Sequence, residues 1–251
     1  MMDLRNRTVL LTGGTDGIGL ALAGHLVGAG VGRLLIIGRS RDRLEAVAAS
    51  FAGRVVPIRA DLSQPGEVDG LVATVIGMAP DLSLLINNAG VQTLTDLVDG
   101  QAAEHIPALR AEMAVNFNAV VALTCGLLPL LLAQPTAMVV NVTSGLALAP
   151  KKSSPVYCAT KAGVRAFTKA LRYQARDVAP RLRVVEALPP LVDTGMTRGR
   201  GRGKISADAC ARRIVAGMAA GEEEILVGKS RLLRLIQGIS PDLADLIMRN
   251  G

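Results

Sequence analysis

The run Thr8–Thr12 passes directly into Thr12-Gly13-Gly14-Thr15-Asp16-Gly17-Ile18-Gly19 and then into an amphipathic helical pattern. A β-branched and leucine-rich segment, a glycine-rich turn and a helix start follow one another without a spacer, and few folds accept that order. Gly13 can take backbone angles closed to other residues. Gly17 lets the main chain approach a pyrophosphate closely, and Gly19 lets the helix pack tightly against the strand. The anion then faces the positive end of the helix. Glycine clusters serve many turns, so the position between strand and helix is what marks this one as a phosphate cradle. The spacing is Gly-x3-Gly-x-Gly.

The rest of the chain repeats the same alternation. Strands are expected at Thr8–Thr12, Arg33–Ile37, Val55–Arg59, Ser83–Ile86, Ala137–Asn141, Arg181–Glu186 and Glu224–Val227. Helices are expected near 17–29, 41–52, 65–78, 101–133 (broken), 155–178 and 206–220. Strand and helix in strict alternation imply right-handed crossovers and a doubly wound parallel sheet of seven strands. No linker or repeat divides the 251 residues, so a single α/β domain over 1–251 is expected. Half the residues are hydrophobic but only 2% are aromatic, so the core must be aliphatic, as it is in parallel sheets covered on both faces.

The formal charge is +7, which favours anionic partners. Aromatic and basic residues do not alternate as in single-strand or RNA binders, so nucleic acid is not expected as a partner. Cys125, Cys158 and Cys210 are far apart and show no CxxC spacing. With only two histidines, His25 and His105, the chain offers no metal set, and the cysteines suit a reducing cytoplasm. The N-terminal apolar run is too short for a signal peptide. Ala119–Ala133 contains Thr124, Gly126 and Pro129 and falls below spanning length, so no transmembrane helix is expected.

The second strand ends Ile36-Ile37-Gly38-Arg39-Ser40. An acidic residue here would accept a hydrogen bond from the ribose 2′-hydroxyl of NAD. Arg39 instead matches a 2′-phosphate, which favours NADP(H) and leaves NAD(H) as the other option. The alternative is that Arg39 only flanks a solvent-exposed helix start.

Asn141-Val142-Thr143-Ser144-Gly145 closes the fifth strand, and Tyr157-Cys158-Ala159-Thr160-Lys161 follows on a helix. Tyr157 and Lys161, at i and i+4, share a helix face. Free tyrosine, with a pKa near ~10, is a poor base at neutral pH. An ammonium about 4 Å away at an effective dielectric of about 20 would stabilise the phenolate by roughly 4 kcal/mol, so the tyrosine pKa is expected to fall. Such a phenol can exchange a proton with a substrate oxygen while Ser144 donates to the same oxygen. Tyr-x3-Lys alone is an ordinary helix surface pair.

Together Thr12–Gly19, Asn87-Asn88-Ala89-Gly90, Asn116, Ser144, Tyr157 with Lys161, and Pro189–Thr194 resemble the short-chain dehydrogenase/reductase family in its form of about 250 residues, over essentially the whole chain. The resemblance implies a Rossmann-type fold and reversible hydride transfer between a nicotinamide and a carbonyl/secondary-alcohol pair. It implies Tyr157 as general acid/base, Lys161 as the group that lowers its pKa and holds the nicotinamide ribose, and Ser144 as the carbonyl anchor. Asn116 would hold a water that relays protons to Lys161. Thr12, Gly13, Thr15, Asp16, Gly17, Ile18 and Gly19 would cradle the dinucleotide, with Arg39 and Ser40 at its 2′ position. Asp61 and Leu62 would lie at the adenine, and Asn88, Ala89 and Gly90 along the ribose. Pro189, Val192 and Thr194 would lie at the nicotinamide. Pro189-Pro190 replaces the family's usual Pro-Gly. The stretches Asn141–Lys161 and Leu188–Thr194 look most like a bacterial branch linked with D-alanylation of lipoteichoic acid. The apolar helix around Asn116–Ala133 would form the interface of a homodimer or homotetramer.

Two segments stay open. The loop at 194–206 places Arg198, Arg200, Arg202 and Lys204 among glycines and reads either as a basic mouth for an acidic substrate or as a mobile solvated loop. The tail at 229–251 is apolar between basic residues. It is expected to pack on its own domain or a neighbouring subunit rather than on a membrane. The competing functional class is a catalytically silent NADP(H)-binding regulator, which the joint presence of Ser144, Tyr157 and Lys161 disfavours.

Overall fold

The computed structural model describes residues 2–51 and 53–250; Met1, Ala52 and Gly251, which the expected domain span and second helix include, lie outside them. The elements are β1 (Thr8–Thr12), α1 (Gly17–Gly28), β2 (Arg33–Gly38), α2 (Arg41–Ser50), β3 (Val55–Arg59), α3 (Pro65–Met78), β4 (Leu82–Asn87), α4 (Ile106–Met113), α5 (Ala119–Ala133), β5 (Ala137–Val142), α6 (Pro155–Val178), β6 (Leu182–Leu188), β7 (Val192–Asp193), β8 (Ile205–Ser206), α7 (Ala207–Ala220), β9 (Glu224–Leu226), α8 (Ser230–Ile239) and α9 (Pro241–Met248). Seven strands form one parallel sheet in the order β3-β2-β1-β4-β5-β6-β9. The expected doubly wound Rossmann-type sheet is present, with strand ends differing by one or two residues.

Alternation along the strands builds two core layers. Val9, Leu11, Leu34, Ile36, Met138 and Val140 point to one face, against Leu22 and Leu26 of α1, Val47 of α2 and Ile214 of α7. Leu10, Leu35, Ile37, Leu85 and Val139 point to the other, against Leu71 and Val75 of α3, Leu127 and Leu131 of α5 and Leu171 of α6. Aliphatic strands buried on both faces need helices on both faces, which the βαβ crossovers supply.

The helical run Ala102–Ala133 is long and apolar enough to cross a membrane by length and composition, although Ala119–Ala133 alone is not. Here the inner face of α5, with Leu123, Leu127 and Leu131, packs on the sheet. The expected break falls at Ala114–Asn118, a π-helical turn between α4 and α5. The tail folds back on its own domain. Leu233 and Ile236 of α8 and Ala244 and Met248 of α9 pack on Leu148 and Ala149, after the fifth strand.

Polar side chains bind the strand ends together. Asn87 donates from Nδ2 to Asn141 Oδ1 at 2.8 Å, and Asn141 donates to Thr168 Oγ1 at 2.9 Å. Thr12 Oγ1 accepts from the backbone N–H of both Asn88 and Ala89 at 3.0 Å, tying β1 to the end of β4. These strands flank the point where the chain order reverses and a crevice opens at the carboxyl ends. Thr12→Val keeps the shape and leaves both amides without that acceptor. The expected loss is about 1–3 kcal/mol, read as a lower urea midpoint at unchanged m-value in the dinucleotide-free protein.

Candidate active site

A cleft of about 1130 Å³ lies along the carboxyl edge of the sheet, larger than the roughly 300–1,000 Å³ of ordinary small-ligand pockets. Its first half is backbone. Gly17 sits at φ +52°, and a Cβ there would stand 2.9 Å from Thr194 Cγ2. A Cβ on Gly19 would lie 2.0 Å from the Gly13 carbonyl oxygen, so no side chain fits between this turn and the first helix. Asp16 caps α1 by accepting from the Gly17 amide at 2.7 Å, and it pairs with Arg43 at 3.3 Å on the surface. A glycine-only cradle at a helix start, with space in front of it, fits a dinucleotide pyrophosphate.

Thr15, Ile18, Arg39, Asp61, Leu62, Asn88, Ala89, Gly90, Pro189, Val192 and Thr194 all line the cleft, as the sequence expectation placed them. Arg39 is exposed on the rim. Asp61 accepts from Ser63 N at 2.9 Å and Ser63 Oγ at 2.8 Å, and these bonds, with smaller contributions from Arg39 and Arg59, hold its carboxyl below the usual range. Asn88 donates to the carbonyls of Thr12 and Gly13, holding the turn in place.

Three expected cofactor or catalytic residues stand behind the cleft wall rather than on it. Thr12, 2% exposed, spends its hydroxyl on the β4 end. Ser40 caps α2 by accepting from Arg43 N at 3.4 Å. Asn116 lies on the π-helical turn with no exposed surface. It accepts from Val91 N and donates to Val91 O, both at 2.8 Å, and it also donates to Thr160 Oγ1. Its amide braces the loop after β4.

Ser144, Tyr157 and Lys161 converge on the opposite wall of the cleft. Ser144 ends the extended segment after β5, and its Oγ accepts from Leu146 N at 3.2 Å, which leaves its own hydrogen free to donate. Pro155 starts α6, where a missing amide costs nothing, and two residues later Tyr157 faces Ser144. Lys161, 4% exposed, donates from Nζ to the Val142 carbonyl at 2.9 Å and stands 5.8 Å from the centre of the Tyr157 ring.

The expected lowering of the tyrosine pKa is reversed by burial. Desolvation pushes the half-buried Tyr157 phenol up to about 12, opposed mainly by the Ser144 hydroxyl. The pKa of Lys161 in turn falls to about 8, because burial penalises the ammonium. Buried Glu112 partly supports that charge. One carboxylate oxygen of Glu112 accepts from Thr93 N at 3.1 Å, and the other is buried without a partner.

The structure adds residues that the sequence pattern did not single out. Gln92, Leu146, Lys151, Leu191, Met196 and the inner face of α8, with Leu232, Leu233 and Ile236, wall the half of the cleft beyond Ser144 and Tyr157. The amphipathic spacing of Leu232, Leu233 and Ile236 was the one available signal, and it did not say which surface the helix would meet.

A family model described as short chain dehydrogenase matches residues 7–204. The chain is 37% identical over 231 residues to a Bacillus subtilis (strain 168) protein described as uncharacterized oxidoreductase DltE, covering 89% of each chain and agreeing with the bacterial branch to which the sequence resemblance pointed. It is similar to the structure of a short chain dehydrogenase from Burkholderia cenocepacia in complex with NADP, with TM-score 0.86, 25% identity and full coverage of both chains. It also shares its fold with a short chain dehydrogenase/reductase from Burkholderia phymatum in complex with NAD, with TM-score 0.84 and 22% identity, over 100% of this chain and 98% of that one.

A lysine whose folded pKa lies below its unfolded value makes the protein more stable as pH rises between the two values. In a protein labelled at lysine Cε, Lys161 is expected to titrate near pH 8 by NMR, and the signal assigned by its loss in Lys161→Met checks it.

Proposed function

The chain belongs to the short chain dehydrogenase family, and on that premise we propose that it is an NADP(H)-dependent oxidoreductase interconverting a carbonyl and a secondary alcohol, with Tyr157 as general acid/base. The observation that carries this reading is the convergence of Ser144, Tyr157 and Lys161 on one wall of a cleft whose other end is a glycine cradle.

A bound dinucleotide supplies hydride exchange at its nicotinamide. Gly13, Gly17, Gly19, Arg39, Val192 and Thr194 all line the cleft; the glycines would leave room for its pyrophosphate, Arg39 would pair with a 2′-phosphate, and Thr194 and Val192 would flank the nicotinamide. At neutral pH Tyr157 holds its proton, the form from which it can donate to a carbonyl oxygen. Ser144, with its hydroxyl hydrogen free, positions that oxygen. Lys161 commits one N–H to Val142 and keeps the others for the site. Its charge favours the phenolate that remains once the proton has left. Asn116 holds the floor beneath Gly90 and Lys161, since a Cβ on Gly90 would lie 3.4 Å from Asn116 Oδ1 and 3.5 Å from Lys161 Nζ.

By family resemblance the protein assembles as a homodimer or homotetramer. The exposed Leu132 on α5 and Tyr173 on α6 favour the outer faces of these helices as the contact. The three free cysteines suit a reducing cytoplasm.

Two substitutions test the reading. Tyr157→Phe is expected to lower kcat on a reducible ketone by about 10²- to 10⁴-fold while NADPH still binds. A wild type no faster than Tyr157→Phe on every carbonyl of a broad panel would favour a silent binding protein. Arg39→Asp is expected to move the ratio of NADPH to NADH affinity towards NADH by about 10- to 150-fold, the equivalent of one charge-assisted pair. An unchanged ratio would place Arg39 outside the 2′ site.

A further inference from the structure

The substrate half of the cleft is walled by apolar side chains, among them Leu146, Leu191, Met196 and Leu233, yet cations are set into it. Lys151 reaches the wall from the segment after β5, where its backbone amide donates to Cys158 Sγ at 3.4 Å, one residue from the reactive phenol. Arg200 comes from the glycine-rich loop. Left-handed angles at Gly199 and Gly201, φ +73° and +67°, turn the chain around it. Its Nη1 donates to Oε1 of Gln92, a cleft residue, at 3.0 Å. The loop is therefore anchored inward. β7–β8 pairing and the Thr194–Thr197 capping box hold its two ends.

What these cations lack is an acid. Lys204, on the same loop, pairs with Asp193 at 3.1 Å and also donates to the Thr197 carbonyl. Among the described residues neither Lys151 nor Arg200 has a carboxylate within 4.0 Å, and the same holds for Arg202 and Lys229 at the outer mouth. Arg200 is held by a neutral amide, which orients a guanidinium without neutralising it. Lys151 is half-buried, and its pKa is lowered first by desolvation and then by the charge of Arg200. Gln92, Lys151 and Tyr157 face the one cleft, and Arg200 stands directly behind Gln92 in that wall. Two like charges set together in a partly dry wall are unfavourable until an anion sits between them.

We propose that Lys151 on the cleft wall and Arg200, held just behind that wall on Gln92, form a receptor for an anionic headgroup beside Tyr157, so that the substrate is a carbonyl or alcohol compound with a carboxylate or phosphate on an apolar chain. Arg202 and Lys229 extend the positive field to the mouth and draw the anion inward. Lys151 is tied to Cys158 on the helix of Tyr157, whereas Arg39 follows β2, so the receptor is built from elements other than those of the expected 2′-phosphate site. The substrate class rests on the oxidoreductase reading above; the anion site itself does not.

Calorimetric titration of octanoate, octyl phosphate and octanol into the protein, with and without NADPH, reads the receptor in the absence of turnover. At least one anion is expected to bind about 10-fold or more tightly than octanol, and whichever is preferred identifies the headgroup. Lys151→Met and Arg200→Gln are each expected to weaken that anion by about 10- to 100-fold. Octanol binding as well as both anions, or anion affinity equal in wild type and both variants, overturns the proposal. In turnover, the ratio of kcat/KM for 3-oxooctanoate over its methyl ester is expected to exceed about 10 and to fall towards 1 in the variants; a wild type that prefers the ester also overturns it. Anion binding lost in the variants, with no turnover of any ketone, removes the oxidoreductase reading and leaves the receptor standing.

Discussion

One hydroxyl holds together the two strand ends between which the cleft opens. β1 and β4 are neighbours in the sheet, but their crossovers leave in opposite directions, α1 to one face and the segment leading to α5 to the other. That divergence makes a crevice and also strips the strand ends of continuing partners. Thr12 accepts two backbone amides there, and Asn88 returns two hydrogen bonds to the carbonyls of Thr12 and Gly13. The glycine turn keeps its shape, and with it the contact of Gly19 on the Gly13 carbonyl that sets where the first helix begins. Loss of this clasp would disturb the cradle before it reached the core.

On the far side of the cleft the chain carries charges that packing alone would disfavour. Lys161 is buried on a single backbone acceptor, Tyr157 is desolvated, and Glu112 keeps one carboxylate oxygen without a partner. A cluster of perturbed groups on an otherwise aliphatic scaffold is the usual physical signature of a reacting site. The surroundings resist relaxation. Asn116 grips the Val91 backbone at both its amide and its carbonyl, and the π-helical turn puts that side chain where a regular helix would carry it past. Lys151, Arg202 and Lys229 also line the cleft, and among the described residues none of them has a carboxylate within 4.0 Å.

Much of this was written in local pattern. The seven strands, their parallel order and the glycine cradle follow from residues close in sequence, because strand and helix periodicities are short-range and a βαβ crossover has one favoured hand. Ser144, Tyr157 and Lys161 are close enough in the chain for spacing to suggest their meeting. Thr12 and Ser40, expected from the sequence at the cofactor, also carry internal hydrogen bonds that the sequence did not show, since a hydroxyl at a strand end or helix start serves either role until its partner is known.

The sequence by itself determined the architecture and which groups, Ser144, Tyr157 and Lys161, are the candidates for the chemistry, for both depend on patterns within one element or its neighbour. Tertiary structure alone decided the electrostatics and the walls. The ionisation of Tyr157 and Lys161 depends on how much water each loses and on which groups face them from α4 and the loop after β4, tens of residues away. Likewise α8 and Lys151 line one cleft, and the loop carrying Arg200 reaches Gln92, only because the chain returns across the sheet edge. Desolvation and long-range contact are properties of a packed volume, and no stretch of chain carries them alone.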